Sequence, residues 1–226
     1  MSGKISEGIY GFYKPKGISS FGVVKWVKRH AVSKRVGHAG TLDPLASGVL
    51  VIAVGRPWTR KLAEVVAKEK EYLAKIKLGV NSSTDDEEGE KIAITMKLRP
   101  KKEQVEKVLK KFVGKIRQTP PIFSALKIKG QRAYDLARKG LTVRIKSRIV
   151  EVKKIELLRY QWPFVHLRVI SGPGVYIRAL ARDIGKHLKT GGYLRDLERA
   201  RVGEFTKKMS KKIPGLKESE WRVSGG

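Results

Sequence analysis

The chain has no cysteine among its 226 residues, so disulfides and cysteine-bound zinc are excluded. Histidine is scarce as well: His30, His38, His166 and His187 lie far apart, without the short spacing of a metal site. No metal and no other cofactor is expected. No apolar run approaches the roughly 18 to 20 residues that cross a bilayer. Met1 to Gly8 lacks the apolar core and small-residue pattern of an export signal, and the cytoplasm is the expected location. Repeats, low-complexity tracts and interdomain linkers are also missing.

Acidic residues are in short supply too. Asp and Glu number 21 against 50 Lys and Arg, which leaves a formal charge of +29. Surface ion-pair networks need both signs, so most of these cations have no acid to pair with. They are spread along the whole chain, and a polyanion, nucleic acid above all, is the partner they fit. A hydrophobic content of 41% is enough to fill the core of one large domain.

Gly8 to Tyr13 reads as a strand ended by Lys14-Pro15-Lys16-Gly17. Ser19 or Ser20 can cap a following helix whose Val23, Val27 and Ala31 share one face. Period-two alternation through Tyr72, Ala74, Ile76, Leu78 and Val80 predicts a strand from Glu71, and Asn81 to Glu90 reads as a polar, acidic loop. Val105, Val108, Leu109 and Phe112 predict an amphipathic helix over 101–113. Two or three strands are expected within 142–170, where Val165, Leu167 and Val169 alternate with His166 and Arg168. A helix follows from about Val175 to Leu188, closed by Gly191-Gly192. Helices and strands mix without strict alternation, so the predicted fold class is α+β, a mixed and mainly antiparallel sheet flanked by helices.

The densest cluster of unusual residues is Gly37-His38-Ala39-Gly40-Thr41-Leu42-Asp43-Pro44-Leu45-Ala46-Ser47-Gly48, whose three glycines allow tight backbone paths around one His and one Asp. Two readings of Asp43 are open. Before Pro44 it is a good helix N-cap; on a Gly-rich loop between basic segments it is a carboxylate placed to attack an electrophilic carbon.

Residues Ile9 to Thr206 resemble the bacterial tRNA pseudouridine-55 synthase (TruB) family. The long block from Gly37 to Leu50 carries the resemblance. It is joined by Lys14-Pro15-Lys16-Gly17-Ile18-Ser19-Ser20, Lys70-Glu71-Tyr72, Ser124-Ala125-Leu126-Lys127, Gly174-Val175-Tyr176-Ile177-Arg178 and Leu197-Glu198-Arg199-Ala200-Arg201-Val202-Gly203, in matching order and spacing.

The resemblance implies the pseudouridine-synthase catalytic fold and a cofactor-free isomerisation of uridine in the T loop of tRNA. Asp43 is then the nucleophile on a base flipped out of its stack. Tyr72 stacks on the uracil and helps with the C5 proton; read alone, it is a strand tyrosine filling the core. Arg178 pairs with the aspartate. It falls in the first turn of a helix after Gly172-Pro173-Gly174, where it is expected to keep Asp43 ionised; read alone, it is a surface arginine. His38 wedges into the space the base leaves. Leu197 lines the uracil pocket or is an ordinary helix-core leucine. Lys14, Lys16, Lys34 and Arg35 are candidates for phosphate contacts or plain solvated charges.

The family usually continues into a small C-terminal RNA-binding (PUA-type) domain. Here 207–226 reads as a short basic tail after a single catalytic domain, with the high charge standing in for the missing contacts. Tyr13 departs from the family, which commonly has a small polar or acidic residue there. Two alternatives remain open: a guide-RNA-dependent pseudouridine synthase, and a non-catalytic RNA-binding or tRNA-folding protein. A monomer is expected.

Overall fold

The computed structural model describes residues 3–95, 98–123, 127–128, 131–132 and 145–214. In chain order the elements are β1 (Gly8–Lys14), α1 (Ser20–His30), β2 (Val36–Ala39), β3 (Ser47–Val54), α2 (Arg56–Arg60), α3 (Leu62–Ala67), β4 (Lys70–Leu78), β5 (Val80–Ser82), β6 (Lys91–Ala93) and α4 (Lys102–Lys110). Then come β7 (Gly114–Gln118), β8 (Lys127–Ile128), β9 (Gln131–Arg132), β10 (Arg148–Gln161), β11 (Phe164–Ser171), α5 (Ile177–His187), β12 (Gly192–Val202) and β13 (Phe205–Thr206). They fall into two compact units, one of residues 1–72 with 197–226 and one of residues 73–196.

In the first unit β3 is the central strand. β1 runs antiparallel along its whole length, from Gly8 opposite Val54 to Lys14 opposite Gly48. Its other edge is shared: β2 pairs antiparallel with residues 51–54, and β12 pairs parallel at Glu198–Ser47 and Arg199–Gly48. All eight residues of β3 are buried, which is why its sequence is a nearly unbroken apolar run and not an alternating one. Leu50, Ile52 and Val54 pack with Val23, Val24, Val27 and Ala31 on one face. Val49 and Val51 pack with Ala39, Val65 and Val202 on the other. Ser19 caps α1 by accepting the Gly22 N–H at 3.0 Å, as its position predicts.

In the second unit the strand order is β12–β4–β11–β10–β7, with β10 antiparallel to both β11 and β7. The predicted alternation of Val165, Leu167 and Val169 is found, all three buried in β11. The long strand of the 142–170 region is β10, while 142–144 lie outside the described residues. Helix α4 buries Val105 and Leu109, and α5 buries Ile177, Leu180, Ala181 and Ile184. The Gln118 side chain takes both backbone groups of Tyr176, accepting its N–H at 2.8 Å and donating to its carbonyl at 3.1 Å. That fixes the start of α5, where no side chain of the helix itself supplies a cap.

Four local expectations need correction. The strand predicted through Val80 stops at Leu78, because Gly79 turns the chain at positive φ and Val80 opens β5. Asn81 and Ser82, read as loop, belong to that strand. Helix α5 is left through Lys189 at φ 58° rather than through Gly191-Gly192, and Gly192 already begins β12. Leu197 lies on a strand, not in a helix. The segment read as a basic tail begins packed: Lys211 and β1 exchange backbone hydrogen bonds, Lys211 N–H to Gly11 O at 2.8 Å and Tyr13 N–H to Lys211 O at 2.9 Å. Residues 215–226 lie outside the described residues, as do Ser124 to Leu126 of one matched motif. Among the described residues no helix is long and apolar enough to cross a membrane.

Candidate active site

Asp43 stands on the connection between β2 and β3. Gly40 turns the chain at φ 70°, Thr41 to Asp43 are irregular, and the Ala46 N–H donates to the Asp43 carbonyl at 3.1 Å. Pro44 therefore occupies the second position of a β-turn. No helix follows, so the N-cap reading of Asp43 is set aside: the chain passes from this turn straight into β3.

The first motif holds that turn in place. Ser20 Oγ accepts the Leu42 N–H at 2.8 Å and donates to the Leu42 carbonyl at 2.9 Å. The Gly17 N–H donates to Pro44 O at 2.8 Å. Lys14 Nζ reaches Ile18 O at 2.7 Å, Pro15 O at 3.0 Å and Pro44 O at 3.4 Å. The expectation that Lys14 contacts phosphate is wrong for this reason: the side chain is fully buried, with its amine turned onto carbonyls of its own unit. Burial pushes that amine down to about 7, against the pull of the Asp43 carboxylate and with the help of the Arg199 charge. Lys16, Lys34 and Arg35 are exposed.

On β12, Arg199 is enclosed with 2% of its surface exposed. Its Nε donates to Val49 O at 2.8 Å and its Nη2 to Gly40 O at 2.8 Å. The Tyr72 phenol and the Asp43 carboxylate both lie close enough to act on its charge. Burial pushes this guanidinium below its ordinary range, and those two groups oppose the shift. Gly48 makes the approach possible. A Cβ there would lie 2.2 Å from the Arg199 carbonyl oxygen, and its φ of 113° suits glycine.

Tyr72 is buried on the alternating face of β4. His38 projects from β2 with Nε2 3.3 Å from Thr41 Oγ1. Burial, then the Arg199 charge, lowers its imidazole below the usual range, so it is neutral at pH 7. Leu197 is buried two residues before Arg199, hence on the same face of the strand. Asp43, Tyr72, His38, Lys14 and Leu197 thus all belong to the first unit. Arg178 belongs to the second, where its Nη1 donates to Asp86 Oδ2 at 3.0 Å and its Nη2 to Phe123 O at 2.8 Å.

Sequence reasoning gave no role to Arg199, Lys70 or Asp86. Arg199 stood inside a matched motif, but arginine is so common in this chain that nothing marked it as buried. Lys70 Nζ donates to Val66 O at 2.7 Å and Lys68 O at 2.6 Å around the end of α3, and burial, with the Arg199 charge adding to it, pushes its amine down to about 8. Asp86 was hidden in a run of acids.

Asp43 thus stands on a pinned turn beside Lys14 and Arg199, and Arg199 also meets Tyr72. A tRNA pseudouridine synthase B of Parabacteroides distasonis is 46% identical over 208 residues, covering 89% of this chain and 88% of that protein. One of Bacteroides fragilis is 44% identical over 227 residues, covering 98% and 96%. Among solved structures, a chain of a Cbf5–Nop10–Gar1 complex matches with a TM-score of 0.71 and 30% identity over 91% of this chain and 52% of that one. A chain of an H/ACA ribonucleoprotein bound to a substrate RNA containing 2'-deoxyuridine gives 0.67 and 28%, so the protein spans about half the length of these solved chains. Residues 28–177 match the description "TruB family pseudouridylate synthase (N terminal domain)". With that match, and with relatives at this identity along most of its length, the chain belongs to the TruB family of pseudouridylate synthases.

Proposed function

We propose that the protein isomerises uridine to pseudouridine in tRNA, at position 55 of the T loop, with Asp43 as nucleophile on a flipped-out uridine. The observation that carries this is the setting of Asp43: a turn held by Ser20, Gly17 and Lys14, with Arg199 and Tyr72 alongside. Asp43 bonds transiently to the flipped uridine, and the bond from uracil N1 to the sugar breaks. The ring turns, a bond from C5 to the sugar forms, and the Asp43 bond is released so that the carboxylate is regenerated. The C5 proton leaves and N1 ends protonated, so atoms balance and no cofactor enters. Tyr72 is the group for the ring and the C5 proton, Arg178 the charge partner for Asp43, and Leu197 the pocket wall.

A neutral His38 suits the role of a wedge in a base stack, because inserting it carries no ionic desolvation cost. The charge of +29 suits tRNA as substrate. The cytoplasm, where tRNA is modified in bacteria, and a monomeric state complete the reading.

The likeness to H/ACA chains favours a second reading, modification directed by a guide RNA. Near end-to-end similarity to proteins named tRNA pseudouridine synthase B weighs more. Pseudouridine mapping of unmodified tRNA transcripts, with wild-type protein and Asp43→Asn and no guide, tests both. T-loop product from wild type alone supports the stand-alone reading. No product from folded wild-type protein overturns it.

A further inference from the structure

The geometry points to Arg199 as a positioning residue of the reaction, whose guanidinium sets the Asp43 loop and the Tyr72 phenol in fixed register. This rests on the reading of Asp43 as the nucleophile.

Arg199 reaches the loop at both ends. Gly40 O precedes Asp43, Val49 O follows it on β3, and the same planar group accepts neither thermal rotation nor a change of spacing without losing a bond. The Tyr72 phenol lies near that same group. The Asp43 loop and a residue of β4, distant in sequence, are thus referred to one rigid fork.

The backbone makes room for it. A Cβ on Gly40 would lie 3.3 Å from Arg199 Nη1, and one on Gly48 would strike the Arg199 main chain. Stability alone is a poor reason for such a group, because an apolar side chain of similar volume generally serves a fold as well as or better than an enclosed charge. What a guanidinium supplies is direction, and a positive charge beside the Asp43 carboxylate.

The test compares Arg199→Gln and Arg199→Lys with wild type on unmodified tRNA, reading kcat, KM, tRNA affinity by filter binding, and melting temperature. The positioning role expects kcat of Arg199→Gln to fall about a hundredfold, the size of effect that small misplacements have. KM and affinity stay within about twofold, and Arg199→Lys recovers part of the rate. Combined with Tyr72→Phe, the losses are less than multiplicative, because a phenol that Arg199→Gln has already displaced contributes less to the C5-proton step.

Unchanged kcat overturns the proposal. So does a loss confined to KM and affinity, fully independent effects of the two substitutions, or failure of both Arg199 variants to fold. Wild-type protein that makes no pseudouridine defeats the proposed function instead, and is read separately from the variants.

Discussion

Arg178 and Asp86 form an ion pair closed to solvent, Nη1 to Oδ2 at 3.0 Å, with 7% and 3% of the side chains exposed. Nη1 also reaches Thr84 O at 3.3 Å, and Asp86 Oδ1 accepts the Thr84 hydroxyl and the Glu88 N–H. Arginine in the first turn of α5 lies at the positive end of the helix, an unfavourable place that the Asp86 carboxylate relieves.

Removing Asp86 therefore leaves a buried cation without this partner. Asp86→Ala is expected to destabilise the protein by about 3–5 kcal/mol. Asp85→Ala, which breaks the more open pair with Arg182 at 2.8 Å, costs clearly less. Urea unfolding of the two variants checks the order, and equal losses would show that burial of the Arg178 pair does not set its worth.

Gly48→Ala and Gly114→Ala separate strain from collision. Both glycines have positive φ, 113° and 96°, but a Cβ on Gly48 meets Arg199 backbone atoms at 2.2–2.8 Å while one on Gly114 meets nothing within 4 Å. Gly114→Ala is expected to cost about 1 kcal/mol from backbone strain. Gly48→Ala must push β3 and β12 apart and is expected to lose soluble, folded protein or most of its activity. Similar melting temperatures for the two would refute the collision.

The elements with one buried face were legible, because their periodicity is written in single residues. Val23 and Val27 of α1, Ala31 at its C-cap, and Val165, Leu167 and Val169 of β11 are buried as predicted. What could not be read was partnership. Lys14 looks like any lysine of a basic chain until Pro15, Ile18 and Pro44 turn their carbonyls to it. Asp86 differs from its acidic neighbours only because α5 brings Arg178 to it from 92 residues away. The Asp43 block stood out through its glycines, yet the reason for Gly48 lies on β12, 151 positions later by the Arg199 contact. Long-range pairing of this kind leaves no mark in local pattern.

The surplus of positive charge makes a prediction about salt. Binding of tRNA is expected to weaken at least about a hundredfold between about 50 and 200 mM salt as counterions are released. Exposed Lys34 and Arg35 are among the phosphate candidates. Replacing both by Gln should lessen the log–log slope by about 2. A shallow slope for wild type would mean that few of the cations touch phosphate.

Lys14 ties stability to pH in a direction opposite to that of an ordinary ion-paired lysine. In the unfolded chain its amine titrates near 10.5, whereas in the fold burial brings it to about 7. Between those values the unfolded chain holds a proton that the folded one has released, so this residue makes stability rise with pH across that window. Below 7 both states are charged and the full burden of burying the ammonium is felt. Above 10.5 both are neutral and the burden is gone.

Lys14→Met removes the titration while keeping the length of the side chain. Wild type and variant should differ by an amount that shifts steadily in favour of wild type as pH rises from about 7 to 10. Lys70, pushed down to about 8 by burial and present in both proteins, cancels from the comparison. Urea midpoints at three pH values in that range decide the point, and a difference that stays flat would mean that Lys14 keeps its proton in the fold, held by its three carbonyls and Asp43.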